Sequence, residues 1–365
     1  MSKIYLDYNA TAPLLPEAKQ AMTAALELVG NPSSIHGFGR EARKQIEQAR
    51  RAIADAVRCD PTHLTFTSGA TESNNWVLQR APVTRILVSA IEHPSVYDLC
   101  ENRIAVTHDG VVDITALEKL LQQSDAPTLV SVMWVNNETG VIQPIDDIAA
   151  LCRKYRALLH VDAVQALGRI PTDLSKTKID FLSLSAHKIG GPAGCGALIC
   201  NPDVKLPPLL RGGGQERRTR AGTENLIGIV GFGAAAQALP RYQNYYDALE
   251  KWRNALETKI KNAVPQSIIV GQNAPRIGNT LQFITPGLPA EKQLIALDLA
   301  GVAVSSGSAC SSGSVKPSHV LLNMGYSEAD SGCAIRLSMG PHTIESDLEG
   351  FFSAWVAISQ RTVSR

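Results

Sequence analysis

At five places in the 365-residue chain, polar or ionisable side chains follow directly on a short apolar run. Ser68-Gly69-Ala70-Thr71 follows 64–67, and Glu92-His93 lies just past 85–89. Asn136-Asn137-Glu138 follows 129–135, Asp162 and Gln165 follow 158–161, and Ser185-Ala186-His187-Lys188 follows 181–184. Lys188 is the most reactive of these groups. A primary amine at a strand end, beside His187 and a Gly190-Gly191-Pro192 turn, can form an imine with a carbonyl compound, although alone it reads as a solvated loop charge. Asp162 ends an apolar run and, if buried, needs a cationic or hydrogen-bonding partner. A pyridinium nitrogen would serve; so would the first N–H groups of a helix that it caps. Thr67 to Asn74 joins a strand to a helix. It reads either as an ordinary capped start or as an anion cradle, and it lacks the lysine of a triphosphate-binding loop.

Further along, Cys310 sits in Ser305-Ser306-Gly307-Ser308-Ala309-Cys310-Ser311-Ser312-Gly313-Ser314. This segment has little to bury, so a mobile loop with an accessible thiol is expected. Arg336 ends or interrupts a strand-like run, and its guanidinium suits a carboxylate, whether a substrate's or a surface partner's. Gly231-Phe232-Gly233-Ala234-Ala235-Ala236 fits a dinucleotide fingerprint only superficially, since no strand precedes it; helix packing explains it. The arginines at 211, 217, 218 and 220 have no interleaved aromatics and read as a solvated or interface loop. The seven cysteines form no C-x-x-C pair and the remaining histidines no ligand spacing, so neither a disulfide framework nor a bound metal is expected.

The apolar runs at 64–67, 85–89, 129–135, 158–161, 181–184 and 196–200 alternate with helical periods, such as Ala42, Ile46, Ala49, Ile53 and Val57. A second helical period runs through Ala18, Met22, Leu26 and Val29. This pattern predicts an α/β fold with a mostly parallel sheet covered on both faces, and ligands in such sheets sit beyond the carboxyl ends of the strands. Past residue 242 the pattern changes: a polar helix to about 262 leads to a region with fewer strands. With 44% hydrophobic residues and a formal charge of +1, the chain has a sizeable core and little pull on nucleic acid. No apolar leader or membrane span is visible, so the cytoplasm is the expected location.

Ten blocks in order resemble the NifS/IscS-like cysteine desulfurases of the class V aminotransferase group. Among them are Tyr5-Leu6-Asp7-Tyr8-Asn9-Ala10-Thr11, Asn31-Pro32-Ser33-Ser34, Thr67 to Ser73, Glu92-His93 and Val135 to Gly140. His160 to Gln165, Ser185 to Lys188, Gly212 to Arg217, Arg220 to Thr223 and Ser305 to Cys310 complete the series. The resemblance implies the type I fold of pyridoxal phosphate (PLP) enzymes: a large domain with a mostly parallel seven-stranded sheet and a smaller α+β C-terminal domain. The implied division is an N-terminal segment (1–15) packing on the small domain, a PLP-binding domain (16–255) and a small domain (256–365) carrying the Cys310 loop.

Residue by residue, the resemblance implies that Lys188 holds PLP covalently, Asp162 pairs with its ring nitrogen and Gln165 with its ring hydroxyl. His93 would stack on the ring and assist proton movement. Ala70, Thr71, Ser185 and His187 would hold the phosphate. Thr223 would reach the phosphate of a partner subunit in a homodimer. Asn137 and Arg336 would position L-cysteine, Arg336 by its carboxylate, and Cys310 would take up sulfur as a persulfide. Release of L-alanine would follow, with delivery of sulfur to an acceptor such as an iron–sulfur scaffold. Selenocysteine lyase, another class V aminotransferase activity and a non-catalytic sulfur-assembly scaffold are the alternatives. Two departures stand out. Ala193 replaces a frequent lysine, which touches only the surface near the cofactor loop. Trp134 is bulkier than expected, which bears on pocket tightness.

Overall fold

The computed structural model describes residues 3–307 and 317–363. Twelve strands are found among them. β1 (Ile4–Tyr5), β2 (Leu64–Thr67), β3 (Arg85–Ser89), β4 (Arg103–Ile104), β5 (Thr128–Met133) and β6 (Leu158–Asp162) come first. β7 (Phe181–Ser185), β8 (Gly196–Cys200), β9 (Ile268–Ile269), β10 (Thr280–Ile284), β11 (Val302–Ala303) and β12 (Ala334–Ser338) follow. The main sheet has seven strands in the order β2-β8-β7-β6-β5-β3-β4. Only β8 runs against its neighbours, so β2, β3, β5, β6 and β7 all end at one edge. The six apolar runs read from the sequence are six of these strands; the seventh, β4, is two residues at the far edge.

The strands are buried along nearly their whole length, as expected where both faces are covered. His160 stands in the middle of β6 with both ring nitrogens taken, Nδ1 by Ser131 Oγ at 2.8 Å and Nε2 by Ser183 Oγ at 3.0 Å. Burial pushes its pKa down to about 3, so it is a neutral tie across three strands.

The covering helices begin with α1 (Pro16–Leu26), α2 (Gly37–Val57), α3 (Ala70–Arg80), α4 (Pro94–Tyr97), α5 (Ile114–Gln122) and α6 (Ile145–Lys154). In α2 all five periodic residues from Ala42 to Val57 are buried. In α1 the period was expected to run to Val29; the helix stops at Leu26, and both Leu26 and Val29 are exposed. The next helix, α7 (Leu226–Ala263), runs unbroken past Pro240 where two helices were expected. Gly233 lets it approach α2, because a Cβ there would stand 2.5 Å from Ala49 Cα. The Gly231–Ala236 motif is therefore helix interior. One half of α7 gives Ile229, Phe232 and Ala235 to the core under the main sheet. The other gives Leu249, Leu256 and Ile260 to a second core with Leu6, Phe283, Ile335 and Trp355.

The second core is closed by the antiparallel sheet β12-β10-β9, by β1 paired with β11, and by α8 (Ala290–Leu299) and α11 (Glu345–Val363). Two short helices, α9 (His319–Asn323) and α10 (Glu328–Ser331), lie between α8 and β12. The arginine-rich loop is not simply solvated. Arg220 pairs with Glu72 at 2.9 Å, and Arg217 donates to Leu64 O at 2.7 Å. No helix of the described residues is long and apolar enough to cross a membrane.

Candidate active site

Beyond the carboxyl ends of the strands lies a cavity of about 450 Å³. Its wall includes Ala70, Thr71, His93, Asn137, Asp162, Gln165, Ser185, His187, Lys188 and Arg336. The polar strand ends therefore meet, as the parallel topology requires. Thr223 is an exposed loop residue outside this wall. Cys310 lies outside the described residues, although Gly307, three positions before it, lines the cavity.

Asp162 ends β6 and is buried. Its Oδ2 accepts from Asn74 Nδ2 at 2.8 Å and its Oδ1 from Val164 N at 3.0 Å. The local turn and the capping amide thus orient the carboxylate. Gln165 is fixed from both ends: Arg169 Nη1 donates to its Oε1, while its Nε2 donates to Asn9 O at 3.0 Å. Lys188 Nζ donates to Asn9 O at 2.6 Å and to Ala10 O at 2.9 Å, so the amine is gathered against the N-terminal segment.

His93 caps α4, its Nδ1 accepting from Ser95 N at 3.1 Å. Asn74 Nδ2 donates to Ser95 Oγ at 2.9 Å, and that hydroxyl in turn lies 2.9 Å from Nδ1. An Nδ1 used as acceptor leaves the proton of the neutral ring on Nε2. Burial lowers the His93 pKa, Asp162 opposes this, and the Lys188 ammonium adds to the fall. His187 is lowered to about 4 by burial and then by Lys188, so it too is neutral at pH 7.

Helix α3 starts at Gly69 with no side-chain cap. Its first N–H groups and the positive end of its dipole are a site for an anion. Glu72 in that first turn would oppose an anion, but Arg220 grips it with two bonds of 2.9 and 3.1 Å. The Gly69 turn also comes so near β8 that a Cβ on Gly196 would lie 2.6 Å from Gly69 Cα; only glycine fits there.

Arg336 is neither a surface group nor a strand end. It is buried in the middle of β12, with Nη2 2.7 Å from Asp7 Oδ1 and Nη1 donating to Asn137 O at 3.0 Å. Ser305 and Ser306 are also buried, against the expectation for their segment, because Ser305 forms a backbone bridge to Arg336. Trp134 packs against the main core and is not part of the cavity wall, so its bulk does not narrow the site. Ala193, expected only on the nearby surface, is in the wall.

Sequence reasoning assigned no role to Asn9 or Asn74. Asn74 stands one turn after Ala70 on α3, a spacing that could have found it. Among the other thiols, burial raises Cys59, Cys152, Cys195 and Cys200 to about 12, so none of these four is a thiolate at neutral pH.

The aminotransferase class-V family profile matches residues 4–351. A protein named cysteine desulfurase from Enterobacter agglomerans is 40% identical, over 96% of this chain and 90% of its own. One named cysteine desulfurase IscS from Dictyoglomus turgidum is 38% identical, over 95% of this chain and 92% of its own. A crystal structure of a NifS-like protein from Rickettsia africae superposes with a TM-score of 0.92 at 38% identity. It covers 98% of this chain and 99% of its own.

Proposed function

The chain belongs to the aminotransferase class-V family, among its NifS/IscS-like cysteine desulfurases, and from that premise we propose that it converts L-cysteine to L-alanine and takes the sulfur onto Cys310. One observation carries the reading: an amine (Lys188), an oriented carboxylate (Asp162) and an uncapped helix N-terminus (α3) share one cavity of about 450 Å³. That donor set fits pyridoxal phosphate. Lys188 would bind its aldehyde carbon and Asp162 its ring nitrogen. The second Gln165 amide N–H would reach its ring oxygen, with His93 against the ring face. Ala70, Thr71, Ser185 and His187 would hold the phosphate. When bound, this cofactor supplies an aldehyde that condenses with amines and a ring that withdraws electrons from the adjacent carbon.

The protein's own groups do the rest. Arg336 exchanges Asp7 for the carboxylate of L-cysteine, and Asn137 holds the substrate in register. Lys188 Nζ would take the Cα proton, and Asp162 would hold a proton at the ring nitrogen. The Cys310 thiolate attacks the substrate sulfur. An S–S bond forms as the C–S bond breaks, and the electron pair of the latter stays on carbon and is protonated, giving alanine. The Cys310 persulfide then passes its sulfur to an acceptor such as an iron–sulfur scaffold. Thr223, exposed on its loop, supports a homodimer in which each copy helps hold the other's phosphate.

The test is direct. The purified protein is expected to be yellow, and borohydride should fix the cofactor on Lys188. Cys310→Ser should abolish alanine formation while leaving the colour. Undiminished turnover in that variant would instead indicate an aminotransferase activity.

A further inference from the structure

Glu138 follows the cavity residue Asn137, and its turn is ordered by Asn136, whose Oδ1 accepts from Glu138 N and Thr139 N, both at 2.9 Å. Its carboxylate is buried and turned toward the second core. There Glu138 Oε2 accepts from Ser318 Oγ at 2.6 Å and from Gln282 Nε2 at 3.3 Å. Gly307 packs on the same oxygen. A Cβ on Gly307 would collide with Glu138 Oε2 and lie 2.8 Å from Gln282 Nε2, so only glycine leaves the carboxylate in place. One carboxylate oxygen, set by the large-sheet side, thus touches both Gly307 and Ser318, which flank the segment 308–316 carrying Cys310.

We propose that Glu138 is a positioning residue for sulfur uptake, fixing the two points from which the Cys310 segment starts and to which it returns. The inference rests on the reading of Cys310 given above. Three residues of extended chain span at most about 10–11 Å. A Gly307 held at the cavity wall therefore fixes the point from which the chain reaches toward the substrate, and a displaced Gly307 moves that point away from the cavity. Ser318 is suited to its end of the clamp. Its hydroxyl accepts from Leu321 N at 3.3 Å as the cap of α9 while donating to Glu138, so one group both starts the helix and ties it to that carboxylate.

Three variants and one control test this. Glu138→Ala should lower kcat for alanine formation about tenfold or more, because the nucleophile is mispositioned. KM for L-cysteine and the affinity for pyridoxal phosphate should stay within about twofold, since neither group touches Glu138. Ser318→Gly keeps an acceptable helix cap and loses only the tie, so a smaller fall in kcat at constant KM is expected. Glu138→Gln, which retains an acceptor oxygen, should recover most of the loss. An unchanged kcat in Glu138→Ala overturns the proposal. So does a fall in kcat matched by equal losses of KM and cofactor affinity, or full kcat in Ser318→Gly should the alanine variant not fold. Cys310→Ser is the control: if it still forms alanine, the reading of Cys310 fails. If it is inactive while Glu138→Ala and Ser318→Gly are normal, only the positioning role fails.

Discussion

Glu92 and Asp162 show how the fold treats two nearby carboxyl groups differently. Asp162 has a bond to each oxygen, whereas both donors to Glu92, Ser89 Oγ and Met133 N, fall on Oε1 and leave Oε2 buried without a partner. Burial raises the Glu92 pKa to about 8; the Ser89 and Met133 bonds oppose the shift, and the Asp162 charge adds to it. Glu92 is therefore protonated in the folded state at pH 7, which spares Asp162 a second negative charge beside it. The sign of the linkage follows. A folded pKa above the unfolded one gives stability that is present below about pH 4.5 and lost as pH rises toward about 8, at up to about 1.4 kcal/mol per unit. Glu92→Gln mimics the protonated acid at every pH. Its melting temperature should match that of the parent near pH 4.5 and exceed it by roughly 2–6 °C at pH 8. Thermal unfolding at the two pH values checks this, and a gap that does not change with pH would sink it.

Among the elements, the edge strand β2 presents the clearest problem and its solution. Its free edge would expose Leu64 O and Phe66 N, a template for unwanted pairing. Instead Arg50 of α2 donates to Leu64 O at 2.8 Å, and Glu216 accepts from Phe66 N at 2.9 Å. Arg50 and Glu216 also form a buried bidentate pair at 2.7 and 2.8 Å. The same pair holds a loop in which Glu216, Arg217 and Arg218 all have positive φ, at 45°, 55° and 67°, a backbone state that costs about 1–3 kcal/mol per residue. Removing one partner strands a buried charge, so Arg50→Ala should lower unfolding stability by about 3–5 kcal/mol and open the 217–220 stretch to trypsin. A loss below about 1 kcal/mol in urea denaturation would show that the edge is held otherwise. This lock also marks the limit of what could be read beforehand. Strand ends are legible because the apolar runs are continuous and their polar termini adjacent in sequence. The Arg50–Glu216 pair spans 166 residues and leaves no local trace. The same holds for Asn9, which reaches Lys188 only through the folded N-terminal segment. The continuity of α7 was hidden for another reason: Pro240 and the change from apolar to polar composition look like a boundary, yet the helix simply exchanges one core for the other.

Across the whole molecule, the site lies where those two cores meet, and the N-terminal segment stitches them. Asn9 Nδ2 donates to Asn137 O and Thr280 Oγ1, both at 3.0 Å, while Ala12 N donates to His187 O at 2.8 Å. The cavity is thus built within one chain, but its phosphate end is expected to take Thr223 from a second copy. The surface offers that copy an apolar face: Leu26, Val29, Ile35 and Phe38 are 64%, 77%, 91% and 69% exposed within a stretch of thirteen residues. Large apolar groups grouped this closely favour association, and a stable interface needs about 800 Å² from each partner. With a net charge of only +1, long-range repulsion between copies is small. A homodimer is therefore expected by sedimentation. Placing glutamates at both Ile35 and Phe38 should shift it toward monomer, because two charges would have to be buried without partners. If Thr223 completes the phosphate site across that interface, the monomer should also bind pyridoxal phosphate more weakly, while melting at nearly the parent temperature because both substituted side chains are exposed in the single chain. Dimers that persist in the double variant would exclude this face as the interface. Monomers that keep full cofactor affinity would remove Thr223 from the phosphate site.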